Sequence, residues 1–329
     1  MAQIEKRTDL DRGWTIYTLE VGQTRVDVVP EAGFNVRSFE HAGRAVLLEP
    51  PTLADLRGTK FGVPILYPSP NRVRDAHFTF QNRRYGFTPN KEKNFIHGLV
   101  HSIPWHVVEV REWIDRQSPT GEALEIEAAV DFAPGSPHYE LFPHPHTLRV
   151  AISVRDGSVR WSYTIDNQIG TTRVPYGFGL HPYFRYQGSR ETTFLRVGAA
   201  HWMEAIDLLP TGRLVPIGQT SLDMRSPRSL AGFHIDDVFT SLDPTEASAT
   251  IEHRSAGFGI DLIATGDFTH VVVFTPANKE AFCVENQTCS TDAHNLAAIE
   301  LQEAAHLLVV EPGQTLSGSV EYRIRPISY

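Results

Sequence analysis

The chain has 329 residues, 41% hydrophobic and 21% charged, which is the balance of a soluble globular protein with room for a large core. Thirty Lys and Arg against 39 Asp and Glu leave a net charge of −9, which disfavours a duplex-DNA binder, whose affinity rests on cations meeting phosphates. No apolar run reaches membrane-helix length, and two cysteines cannot staple a fold of this size. The start, from Met1 to Arg12, lacks the apolar stretch of a signal peptide, so a cytoplasmic protein with reduced Cys283 and Cys289 is expected.

In chain order the dominant period is two. Leu124, Ile126, Ala128, Val130 and Phe132 alternate with mostly polar neighbours. A Pro-rich loop is expected from Pro134 to Pro145. Leu148 to Val154 and Val159 to Ile165 alternate again, on either side of an Asp156-Gly157 turn. Val271–Phe274 and Leu307–Val310 are short apolar runs and read as strands buried on both faces. The best helical segment is Ala297–Ala305, and Val320, Tyr322 and Ile324 close the chain as a strand after Pro312-Gly313. Many strands and few, short helices predict an all-β fold, a large antiparallel β-sandwich. Alternating strands continue in one style throughout, so residues 1–329 are read as a single domain.

Motifs exclude several chemistries. There is no phosphate-binding glycine loop, no HExxH, no GxSxG and no CxxC. Five segments hold the remaining candidates. Asn71-Arg72 follows a Pro-rich stretch, and the planar guanidinium suits hydroxyls or anions; a solvated hairpin arginine is the plainer reading. His97-Gly98 lets a ligand approach closely, though His97 could equally be a satisfied core histidine. Val174–Phe184 gathers aromatics, glycines and one histidine, His181, next to Tyr183; this is either a sugar-site wall or a β-corner. Asp236-Asp237 can order hydroxyls or form a solvated turn. Glu285 ends an apolar strand before Asn286, Gln287 and Thr288, where it is a general base with neighbours to orient it or a surface glutamate. Together these groups suit proton transfer on a polyol better than acyl transfer or redox chemistry.

In this order the motifs resemble those of the aldose 1-epimerases, the galactose mutarotase family: Asn71-Arg72, then His97-Gly98 with Trp105, then His181-Pro182-Tyr183-Phe184, then Asp236-x-x-Phe239, then Glu285-x-x-Thr288. The matched stretches run from about Phe61 to Asn295. Two neighbours depart from many relatives, Asn286 where a Pro is common and Asp237 where a His is common. The resemblance implies a β-sandwich of the galactose-mutarotase type. It implies Glu285 as general base and His181 as general acid, with Arg72, His97, Asp236, Asn71 and Tyr183 binding the sugar. No metal and no cofactor are expected, and neither a nucleic-acid nor a membrane partner; the oligomeric state is left open.

A glycoside hydrolase using Glu285 and Asp236, or a non-catalytic sugar-binding module built on Tyr183 and Trp105, are the competing readings. A metal site at His144-Pro145-His146 is weaker, because that tripeptide is expected to be solvent-exposed. A free aldohexose is expected in preference to a hexose phosphate. The segment from Asn71 to Lys93 nonetheless carries Arg72, Arg74, Arg83, Arg84, Lys91 and Lys93 against only Asp75 and Glu92.

Overall fold

The computed structural model describes residues 2–115, 118–277 and 280–327. It is built mostly from antiparallel strands in three large sheets. A five-stranded meander, Gln3–Thr8 to Arg44–Ala45, runs in chain order. A nine-stranded sheet starts at His106–Ile114, Glu122–Phe132, His146–Arg155 and Ser158–Asp166 and continues through the last strand, Thr315–Pro326. The eight-stranded sheet carries the candidate site. Its order is Leu209–Pro216, Ala199–Ile206, Asp236–Leu242, His270–Phe274, Ala281–Gln287, Gly179–Leu180 and Ile65–Leu66, and Tyr183–Arg185 also pairs with Ala281–Gln287.

The period-two segments form strands where the sequence places them, and their apolar faces meet in one buried cluster. Phe239, Val271, Phe282 and Val284 from the site sheet pack against Trp161, Ile260, Val320 and Tyr322 from the nine-stranded sheet. Phe184 bridges the layers, with its ring 5.3 Å from Tyr322 and 6.1 Å from Phe282. This is the inter-sheet core of a β-sandwich. Every residue of Ala281–Gln287 is buried. Its even-numbered side chains enter the core, and its odd-numbered ones, Cys283, Glu285 and Gln287, lie on the opposite face. Both cysteines are buried, and they form no disulfide.

Four expectations are corrected. The helix at Ala297–Ala305 is two short helices, Ala293–Ala298 and Gln302–Ala305. At about 100° per residue a continuous helix would carry Leu301 about 140° away from Leu296. Instead Glu300 takes a left-handed conformation (φ 67°) and returns Leu301 to the cluster of Leu296, Ala305 and Leu307. The second run forms the strand Leu308–Val310 on Val174–Tyr176, with Leu308 and Val309, which face opposite sides of this two-stranded ribbon, both only half-buried, so neither face is fully covered. The Pro-rich loop contains a helical turn, Pro137–Leu141, capped by Ser136 accepting from the Tyr139 amide. Finally, His144 and His146 are buried, not exposed. His146 stacks on Phe132 at 4.4 Å and accepts a 2.5 Å hydrogen bond from the Tyr67 hydroxyl, while its Nδ1 donates to the His144 carbonyl. Aromatic packing of both rings, and partners for both ring nitrogens of His146, take up the polarity that made solvent exposure the simpler expectation.

Candidate active site

Strand register sets the site. Glu285 lies opposite Val272, which lies opposite Val238; one row along, Cys283 faces Phe274, which faces Asp236. On the other side of the same strand Tyr183 pairs with Cys283 and Gly179 with Gln287. His181-Pro182 is the short connection between those two pairings, so it is delivered beside Glu285. The His181 amide donates to the Pro64 carbonyl and the Tyr183 amide to the Gly62 carbonyl, which clamps the connection from behind. The result is a His181 Nε2 to Glu285 Oε1 distance of 3.4 Å, with both side chains at least nine-tenths buried. The other Glu285 oxygen accepts a 3.0 Å hydrogen bond from Gln287 Nε2.

The remaining candidates converge on this pair. Tyr183 stacks on the His181 ring at 5.1 Å with an 8° interplanar angle, and His97 meets it edge-on at 5.0 Å. His97 is seated by a close approach of backbones. Gly98 (φ 71°) lies so near the Tyr67 carbonyl that any Cβ would sit 2.2 Å from the oxygen, so only glycine fits there. Arg72 is buried rather than solvated. Asn71 Oδ1 accepts from both the Arg72 amide (2.9 Å) and Nη1 (3.1 Å), so Asn71 orients the guanidinium. The two adjacent acids divide by strand alternation. Asp236 faces the cleft, and Asp237 points the other way to accept from Trp202 Nε1 at 2.8 Å. Thr288 ties the corner together, its hydroxyl accepting from the Phe178 amide at 2.9 Å.

The electrostatics follow from burial. Desolvation, reinforced by Asp236, raises the Glu285 carboxyl well above the usual range, with Gln287 and Arg72 opposing. Burial likewise raises Asp236, with Arg72 opposing. Burial holds His97 well below an ordinary histidine, helped by the charges of His181, His101 and Arg72. It is therefore a neutral hydrogen-bonding group. Burial keeps the Tyr183 phenol protonated.

Beside the pair, along the strand pairing that runs from Cys283 through Phe274 to Asp236, opens a cleft of about 880 Å³, whose walls include Arg72, Asp236, Phe274, Lys91 and the Ile206–Pro210 hairpin. Of the basic side chains noted in the sequence, Arg74 is paired with Asp292 (3.2 Å) and Lys93 with Asp75 (2.9 Å). Arg83 and Arg84 are exposed on the hairpin of His77–Phe80 and Arg83–Gly86. Asn71, Arg72, His97, His181, Tyr183, Asp236 and Glu285 thus lie at or beside one centre, while Asp237 turns away and His144 and His146 pack elsewhere. Sequence reasoning missed Phe274, Cys283 and the specific bond from Gln287. The period-two alternation of 281–287 was the available signal for the last two. Among the described residues no helix is long and apolar enough to cross a membrane.

Comparison with known proteins bears on the family and the fold. Residues 15–323 match the family model described as aldose 1-epimerase. The chain is 25% identical to the uncharacterized protein YphB of Escherichia coli over 325 residues, which cover 94% of this chain and 99% of that protein. It resembles in fold a galactose mutarotase-like protein from Clostridium acetobutylicum (TM-score 0.87, 19% identity, 99% of both chains). It also resembles a galactose 1-epimerase from Lactobacillus acidophilus (TM-score 0.75, 14% identity, 100% of this chain and 99% of that one).

Proposed function

The chain belongs to the aldose 1-epimerase family, and from that premise we propose that it interconverts the α and β anomers of a free aldohexose by acid–base catalysed ring opening and closure. The observation that carries this reading is the 3.4 Å contact of His181 Nε2 with Glu285 Oε1 beside an open cleft walled by Arg72, Asp236 and Phe274. The two oxygens that exchange protons in mutarotation sit on one carbon, the anomeric C1. An acid and a base serving them must therefore lie within a few ångströms of each other. A sugar-binding module needs no such pair, and a glycosidase works with two separated carboxyls, one the acid and the other either the nucleophile or the base for a water.

In the proposed cycle Glu285 takes the proton of the anomeric hydroxyl while His181 gives one to the ring oxygen. The C1–O5 bond breaks, the open-chain aldehyde rotates about C1–C2, and closure returns each proton by the reverse steps. The enzyme's proton inventory is unchanged at the end. Burial favours the protonated carboxyl, whereas the cycle needs Glu285 ionised when substrate binds; Arg72 and the Gln287 amide both work towards that state by stabilising the carboxylate. Arg72 and neutral His97 hold sugar oxygens, Asn71 positions Arg72, Asp236 accepts from ring hydroxyls, and Tyr183 backs the His181 ring. Positioned acid–base groups are each worth about 10²–10⁴-fold, enough to accelerate a reaction that free sugars already undergo in water. The pairing of Arg74 and Lys93 with acids, and the exposure of Arg83 and Arg84, support a neutral sugar over a phosphorylated one. The test is mutarotation of freshly dissolved anomers by wild type and by the Glu285→Gln variant.

A further inference from the structure

We propose that the buried cluster of His181, Cys283 and Glu285 beside the cleft is also a binding site for a borderline-soft divalent cation of the zinc class, and that occupancy of this site blocks the acid–base pair. The inhibition rests on the function proposed above; the binding does not.

The three side chains converge for a simple reason. Cys283 and Glu285 are two apart on one strand and so share its cleft face, and His181 arrives from the connection that pairs on either side of them. One ligand atom from each, an imidazole nitrogen, the thiol sulfur and a carboxylate oxygen, all lie within 4.8 Å of one another, and all three residues are buried. Among the described residues this is the one group of three or more such side chains with that spacing.

The geometry suits zinc. Tetrahedral zinc with Zn–N near 2.05 Å and Zn–O near 2.1 Å holds those two ligand atoms about 3.4 Å apart. That is the separation already present between His181 Nε2 and Glu285 Oε1. The sulfur needs to stand about 3.6 Å from each of them for a Zn–S bond of about 2.3 Å, so it has at most about an ångström to close. One nitrogen, one sulfur and one oxygen select zinc-class ions over magnesium or calcium, which prefer oxygen alone. Three protein ligands leave a fourth position, the composition of an open rather than a structural zinc site. The surroundings hold the ligands in pose: Gln287 Nε2 is hydrogen-bonded to the second Glu285 oxygen, Tyr183 is stacked on the His181 ring, and the Tyr183 hydroxyl is hydrogen-bonded to the Cys283 sulfur. A cation here occupies the lone pairs that proton transfer requires. It acts by blocking and has no place in the catalytic cycle.

Cys283 takes no part in the proposed proton transfer, which separates the two roles. Calorimetric titration of the full chain with Zn²⁺ is expected to show one equivalent bound, and Co²⁺ to give a thiolate-to-cobalt charge-transfer band. Cys283→Ala and Cys283→Ser should both lose the band and weaken zinc binding by about tenfold or more, the lower end of the loss seen when even an outer-shell partner is removed. In polarimetry Zn²⁺ should inhibit wild type and Mg²⁺ should not, and whatever turnover the Cys283 variants retain should be insensitive to zinc. Zinc binding and a cobalt band unchanged in both variants, or no stoichiometric zinc binding by wild type, would overturn the site. Wild type that binds zinc yet shows no mutarotation even without it would leave the site standing and remove the functional reading instead. Circular dichroism of each variant separates ligand loss from misfolding.

Discussion

Acidification should unfold this protein over a narrow range, because five histidines besides His97 of the site are buried in their neutral form. Burial holds His144, His253 and His294 at about 4, and His146 and His270 at about 3, against 6.5 for an exposed imidazole. The folded values are depressed, so the unfolded chain binds these protons first. Stability is therefore complete above about pH 7 and falls as the pH drops through 6.5 towards 4. Between about pH 7.5 and about pH 5.5 each such histidine withdraws about 1.4 kcal/mol, about 7 kcal/mol for five. The raised carboxyl of Glu285 works the other way, since the fold takes up that proton before the unfolded chain does. It offsets part of the loss, and the remainder is still comparable with the whole stability of an ordinary domain, about 5–15 kcal/mol. Urea unfolding followed by intrinsic fluorescence at the two pH values reads the effect as a drop in midpoint. His253→Asn, which removes a ring whose Nδ1 contacts the Thr193 hydroxyl, should flatten the pH dependence by about one histidine's share. A urea midpoint that holds constant from about pH 7.5 to about pH 5.5 refutes the reasoning.

Three further outcomes are expected. His181→Asn should lower kcat far more than it raises KM, because proton donation acts in the transition state; unchanged kcat with a much higher KM reduces His181 to a binding group. Glucose should be preferred over glucose 6-phosphate when kcat/KM is measured for both. A preference of about tenfold for the phosphate, about 1.4 kcal/mol of transition-state binding, contradicts this and points to Lys91 at the cleft wall. EDTA should leave activity intact or raise it, since the proposed cycle uses side-chain acid and base alone; loss of activity restored by one divalent ion contradicts it.

Much of this was legible in the sequence for one reason: period-two alternation survives wherever a strand has one buried face. Leu124–Phe132 and Val159–Ile165 announce themselves this way, and their strands lie where expected. The site residues were legible as motifs, but their convergence was not. Nothing local says that His181 and Glu285, about a hundred positions apart, become neighbours; that follows from Tyr183 pairing with Cys283 and Gly179 with Gln287. The failures share a cause. Leu301 and His146 are placed by long-range packing, against Leu296 in one case and Tyr67 and Phe132 in the other, and short-range pattern carries no record of either contact. Asp236 and Asp237 look equivalent in sequence, and only the strand's facing separates the cleft acid from the one bound to Trp202.

The central claim is that Glu285 and His181 form one acid–base pair acting on the anomeric centre. It is tested most directly by polarimetry of freshly dissolved α-D-glucose and α-D-galactose with wild type and with Glu285→Gln, which keeps the shape of the side chain and removes its basic lone pair. The account predicts that wild type speeds the approach to anomeric equilibrium for at least one of the two sugars, and that the variant, folded by circular dichroism, loses about 10²–10⁴-fold of that rate. A folded Glu285→Gln variant with near wild-type rates would contradict it.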